Sequence, residues 1–216
     1  MTVLFPKWTN NIPTMLAAGA VVGLGMAVLI VTVYFSPKHT DVGYAPEQPV
    51  HYSHKLHAGM LGFDCRYCHQ NVEDGAHATV PSTETCLNCH LANRVKGDSP
   101  KLAKVRESGV TGQPIEWIKV HMLPDYVYFD HSVHVTAGVG CVSCHGRIDK
   151  MEVVRQAEPL SMSWCLDCHL NPEPNLRPSS EVTNMAYDHE SEAAMAYAAQ
   201  AKDNVNPPIH CGACHR

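Results

Sequence analysis

The chain has 216 residues and a formal net charge of −5, and its unusual counts are ten cysteines and fifteen histidines. A balance this acidic, with no basic stripe, excludes a nucleic-acid binder. Hydrophobic residues make up 45%, but many are concentrated near the N-terminus, which leaves the rest too poor in branched aliphatics for a large ordinary core.

Residues 1–14 form a short N-terminal segment. Positions 15–35 then read MLAAGAVVGLGMAVLIVTVYF without a charge. As a helix this run spans roughly 31 Å, enough for the hydrocarbon core of a bilayer. A cleaved signal peptide would have a shorter apolar region and a small-residue cleavage site, which Ser36-Pro37-Lys38-His39 fits poorly. Gly19, Gly23 and Gly25 offer either a close approach for another membrane helix or the ordinary glycine content of such helices. Residues 36–50 carry Pro37, Gly43, Pro46 and Pro49, which predicts an extended tether.

From residue 51 to 216 the expectation is one domain built on an internal repeat. The first copy, about 51–90, opens on Tyr52-Ser53-His54-Lys55-Leu56-His57. The second, about 127–169, opens on Phe129-Asp130-His131-Ser132-Val133-His134. Between them, Asp98-Ser99-Pro100 followed by KLAKVRES predicts a capped helix closed by Gly109. Residues 192–202 are alanine-rich and predict another.

Every cysteine falls in a C-x-x-C-H unit. The units are Cys65, Cys68 and His69; Cys86, Cys89 and His90; Cys141, Cys144 and His145; Cys165, Cys168 and His169; and Cys211, Cys214 and His215. Chance at this composition gives about 0.03 such units. A lone unit could be a thioredoxin-like pair or part of a zinc ribbon, but five with no spare cysteine point to covalent haem c. The thiols would form thioethers with the haem vinyl groups, and each adjacent histidine would be the proximal iron ligand. The expected fold is a mostly irregular and α-helical multihaem cytochrome wrapped around five haems, with one N-terminal transmembrane helix. Haem faces would supply the missing core, so the apo chain should not fold.

Distal ligands must come from the other histidines. The repeated pairs His54 with His57 and His131 with His134 are the leading candidates, because one helical turn can address two haems. His77 follows, then His121. Met151 and Met162 lie between the third and fourth units, where either could give a His/Met haem or simply pack in the core. His39, His51, His189 and His210 read as surface or local hydrogen-bonding residues. Iron ligated on both faces suits electron transfer, and no nucleophile or acid–base constellation stands out, so the chain reads as a relay and not an enzyme.

The aromatic-x-His-x-x-His leaders resemble the small multihaem cytochromes of the c3 and c7 type. A closer resemblance involves the anchor, the stretch Gly43-Tyr44-Ala45-Pro46-Glu47-Gln48-Pro49-Val50, the run His54-Lys55-Leu56-His57-Ala58-Gly59 through Asp64-Cys65-Arg66-Tyr67-Cys68-His69, and Leu123-Pro124-Asp125-Tyr126-Val127-Tyr128-Phe129 through the third unit. Together these look like the pentahaem subunit of alternative complex III, over nearly the whole chain. That resemblance implies a quinol-oxidising respiratory complex. The partners would be an iron–sulfur subunit related to molybdopterin oxidoreductases, polytopic quinol-binding subunits and a monohaem cytochrome c. A terminal oxidase is the other possible acceptor. Because c-type haem is attached outside the bacterial cytoplasm, the chain would be single-pass in the inner (cytoplasmic) membrane with residues 1–14 cytoplasmic and the haem domain periplasmic. The alternative is a membrane-anchored multihaem quinol dehydrogenase feeding a periplasmic reductase, against which stands the long gap between Phe35 and Cys65.

Overall fold

The computed structural model describes residues 5–215. Residues 1–4 of the expected N-terminal segment, and Arg216 at the end of the expected haem domain, lie outside the described residues. The chain divides into two compact units, Met1–Asp41 and Val42–Arg216.

In the first unit a 3-10 turn, Lys7–Asn11, leads into a continuous helix, Ile12–Tyr34. The helix starts three residues ahead of the uncharged run because Pro13 sits in its first turn, where a missing N–H costs nothing. Its side chains are exposed on every face. Thr32 satisfies its hydroxyl on the Val28 carbonyl, at 2.8 Å, as serines and threonines do inside apolar helices. The segment is long and apolar enough to be a membrane anchor or a signal sequence, with a mean hydropathy of 2.5.

The expected tether 36–50 is divided between the units. Pro37–Thr40 is a helical turn of the first unit. Gly43 and Tyr44, by contrast, exchange backbone hydrogen bonds with Gln156 at 2.8 and 3.0 Å. The Gln48 side chain pairs with both backbone groups of Ile118, and Val50 is buried. Prolines and glycine do prevent regular structure here, but backbone pairing and one apolar anchor fix these residues to the second unit.

That unit is a succession of short helices and loops, with two isolated β-bridges among the described residues, Val127 with His215 and Val139 with Leu176. The leader of the first copy is a π-helical turn, Lys55–Met60, and that of the second is an α-helix, His131–Thr136, capped by the Asp130 carboxylate. The two copies dock: Lys55 N–H donates to the Met151 carbonyl at 3.0 Å, and a Cβ on Gly59 would overlap the Asp149 carbonyl oxygen.

The helix expected to end at Gly109 runs instead over Ala103–Thr111, after a 3-10 turn at Pro100–Leu102. Gly109 sits inside it against Leu87, and Gly112, at φ +72°, makes the left-handed cap. Ser99 flanks the 3-10 turn without a side-chain capping bond. Glu192–Lys202 is the expected alanine-rich helix, with Ser191 accepting from Ala194 N–H. Among the described residues the buried apolar set is Val50, Val105, Val135, Met151, Leu176, Val182, Ala194 and Ala198. Six of these eight are valines or alanines, and only Leu176 and Met151 are larger, so small groups dominate the core.

Candidate haem sites

None of the ten cysteines is paired in a disulfide. Among the described residues no three His, Cys, Asp or Glu side chains converge where a metal ion could sit. The C-x-x-C-H units sit on short helical turns: Cys65–Cys68, Thr83–His90, Val142–His145, Met162–Leu170 and Cys211–Cys214. One turn of helix places the two sulfurs on neighbouring positions of one face and the histidine just beyond.

The two leaders have the same internal geometry. Tyr52 lies edge-on to His54 at 4.8 Å and stacks on His57 at 4.4 Å. Phe129 lies edge-on to His131 at 4.8 Å and stacks on His134 at 4.4 Å. One aromatic ring thus fixes two imidazoles that point apart.

Three of the four leader histidines then lie opposite a C-x-x-C-H histidine. Two imidazoles bound to opposite faces of one metal through bonds of about 2 Å have ring centroids about 6 Å apart. His57 and His90 lie at 6.2 Å, His131 and His145 at 6.4 Å, and His134 and His169 at 6.2 Å. His54 is electrostatically coupled to His69. The residues therefore fit a haem iron between the members of each of the three pairs with facing rings.

The Nδ1 atoms support the same fit. Nδ1–H donates to a backbone carbonyl in His57 (Ser53, 2.9 Å), His69 (Thr79, 2.7 Å), His90 (Val95, 2.7 Å), His131 (Ala76, 2.8 Å), His134 (Asp130, 2.7 Å), His169 (Pro208, 2.7 Å) and His215 (Tyr126, 3.3 Å). That bond fixes the tautomer and leaves the Nε2 lone pair for a metal. Desolvation holds His54 down to about 4 and lowers His121, His134 and, most strongly, His145. Burial thus favours the neutral ring, the form a ligating imidazole takes.

The other candidates are placed differently. His121 lies edge-on to His145 at only 4.4 Å, too close to face it across a metal, and its Nε2 is buried without a hydrogen-bond partner. His77 is exposed, and its carbonyl accepts from the Asn71 side chain. Met151 is buried in the core while Met162 is exposed. Around His215 the neighbouring ring is Tyr126, at 5.8 Å, and among the described residues no leader histidine pairs with it. The sequence marked the leaders and their aromatic, but not the carbonyls that orient the rings, because those come from distant loops such as Ala76 and Pro208.

The sites adjoin one another. Tyr52 is close to both Cys68 and Cys86, and burial pushes its phenol up. Cys65 and Cys141 are close enough to influence each other's charge. Around them, Asp64 accepts from Thr183 at 2.8 Å and Cys141 N–H donates to Val182 at 2.9 Å. Phe129 joins the rings paired with His145 and His169, and Cys144 feels both Cys165 and Cys168. Pro208, which orients His169, lies just ahead of Cys211, and Cys165 feels Cys214.

Comparison with known proteins points the same way. Residues 127–216 match the family model described as cytochrome c7 and related cytochrome c. That stretch, less than half of the chain, is similar to the c7-type multihaem cytochromes c, a family that carries covalently bound haem c. The chain is also 39% identical over 100 residues to the menaquinone reductase multihaem cytochrome c subunit of Nitratidesulfovibrio vulgaris (strain Hildenborough). That similarity spans 46% of this chain and 46% of the relative, so the chain matches about half of that relative's length.

Proposed function

We propose that the chain is an electron-relay subunit of a quinol-oxidising respiratory membrane complex of the alternative complex III type, carrying five haems c. The observation that carries this reading is the 6.2 to 6.4 Å separation of facing imidazoles. Such spacing leaves no face of the iron for a substrate. Haem, when bound, supplies a one-electron ferric/ferrous couple. The chain's own residues would do the rest: the ten cysteines would attach the haems, and His69, His90, His145, His169 and His215, with His54, His57, His131 and His134 at the first four sites, would hold the iron.

The contacts between sites support an order that differs from chain order. The second site adjoins the first through Tyr52, the first adjoins the third through Cys65 and Cys141, and the fourth and fifth follow. The ends of the relay are then the Cys86–Cys89 site and the Cys211–Cys214 site. The helix Ile12–Tyr34 is the anchor in this reading, in the inner membrane with the haem domain on the periplasmic side. The partners are polytopic quinol-binding subunits, an iron–sulfur subunit and a monohaem cytochrome c.

A second reading reverses the flow: the relative's name assigns it to a menaquinone reductase, so electrons would run toward quinone. Mild detergent extraction tests both. The chain should co-purify with polytopic and iron–sulfur proteins, and quinol should reduce its haems only in that assembly. Reduction of the isolated chain by quinol at the rate of the complex would overturn the relay reading. Haem reduction by an iron–sulfur partner, followed by quinone reduction but no quinol oxidation, would select the reverse flow.

A further inference from the structure

Arg177 is a buried cation with no carboxylate partner. It is 3% exposed, and a guanidinium cannot shed its proton. Its Nε has no hydrogen-bond partner. One terminal nitrogen donates to the Asn184 carbonyl at 3.2 Å, and the group lies over the Tyr187 ring at 4.8 Å. Glu181, a carboxylate whose field reaches Arg177, is instead bonded to the Asn184 side chain at 2.7 Å. None of the ion pairs among the described residues includes Arg177.

The backbone holds this charge at one place. Arg177 N–H donates to the Gly138 carbonyl at 2.9 Å, and Val139 bridges to Leu176. A Cβ on Gly140 would overlap the guanidinium, so this glycine is where the charge comes closest to the backbone ahead of Cys141. The next residue is Cys141, and the charge of Arg177 acts on its sulfur. Burying an unpaired charge is costly, and a site with that cost points to a use for the field.

We propose that Arg177 is the fixed positive charge that raises the reduction potential of the haem held by Cys141, Cys144 and His145. A cation in a poorly screened position disfavours the ferric state, which carries one more positive charge than the ferrous state. Whether it acts on the iron directly or by neutralising a haem carboxylate, the sign is the same. The inference rests on the haem reading above.

The test is spectropotentiometry of the haem-loaded full chain, with peptide mapping of each C-x-x-C-H unit. In Arg177→Gln, one haem should become about tenfold harder to reduce at fixed potential, ~59 mV for a one-electron couple, with all thioethers and spin states unchanged. Arg177→Lys should retain most of the wild-type value at neutral pH. Its potential should then fall as pH rises through the pKa of the new ammonium, whereas the wild type, with Tyr187 and Glu181 unchanged, supplies the baseline. Unaltered potentials in Arg177→Gln would overturn the proposal, as would an equal, pH-independent shift in both variants. Loss of the third haem from both variants would make Arg177 a structural strut and also overturn it. Free thiols at Cys141 and Cys144 in the wild type would instead refute the haem reading itself.

Discussion

The two copies of the repeat hold their histidines with the same aromatic clamp but anchor them differently. In the second copy both rings are tied at Nδ1, His134 to its own turn and His131 to Ala76 of the first copy. In the first copy only His57 is tied, to Ser53, and the buried Nδ1 of His54 has no partner. The first leader leans back on the second copy through Lys55 and Gly59. Duplication accounts for the clamp, but each copy is completed by the other, so the pair is one structure and not two beads on a string.

The largest expected effect breaks that docking. Gly59→Val would drive a side chain into the Asp149 carbonyl, and overpacking of this kind costs about 1–3 kcal/mol. The thermal unfolding midpoint of the holoprotein, followed at the haem band, should fall by roughly 2–12 °C, since each kcal/mol is worth about 2–4 °C in a chain of this size. The corresponding residue of the second leader, Thr136, is exposed, and Thr136→Val should change stability by no more than about 0.5 kcal/mol. Equal melting of the two variants would dissolve the comparison.

Much of this was legible in the sequence, for definite reasons. Haem attachment is written in consecutive residues, and the clamp recurs in register, so Tyr52 and Phe129 could be matched with His54, His57, His131 and His134 by eye. The alanine-rich helix is a local propensity, and its limits follow. What was illegible is long-range. The carbonyls of Ala76 and Pro208 carry no side-chain signature, and Gly109 looks like a helix end until its packing on Leu87 is seen. Val50 and Gln48 looked like tether because proline and glycine signal irregular backbone, not whether it is anchored. Arg177 gave no signal at all, since nothing local distinguishes a buried arginine from a surface one.

A smaller effect sharpens the difference between the leaders. His54→Ala and His131→Ala should each turn one haem high-spin while its thioethers stay intact. Only His131→Ala also removes a bond between the copies, worth about 1 kcal/mol, so its unfolding midpoint should fall further. Denaturant titration of both holoproteins checks this, and identical midpoints would show that the Ala76 contact carries no stability.

The smallest effect depends on pH. Asp64, at the first haem unit, bonds Arg66 and reaches across to Thr183, and these hydrogen bonds hold its carboxyl down to about 2 from an ordinary 3.8. A depressed folded-state pKa stabilises above the unfolded value and is lost as pH falls through the folded one. Asp64 should therefore contribute fully above about pH 4 and lose that contribution toward pH 2. The residue is partly exposed, which keeps the effect modest. In Asp64→Asn, acid titration of stability should be flatter across that window. An unchanged acid profile would remove Asp64 as a tie between the first unit and the loop carrying Thr183.

The central claim is that four haem sites are closed on both faces by paired imidazoles: His54 with His69, His57 with His90, His131 with His145, and His134 with His169. Low-temperature electron paramagnetic resonance of the oxidised, haem-loaded chain tests it most directly. The account predicts low-spin bis-imidazole signals from four sites, with one converting to high-spin in each of the four leader-histidine alanine variants. High-spin iron in the wild type amounting to more than one haem per chain would contradict it.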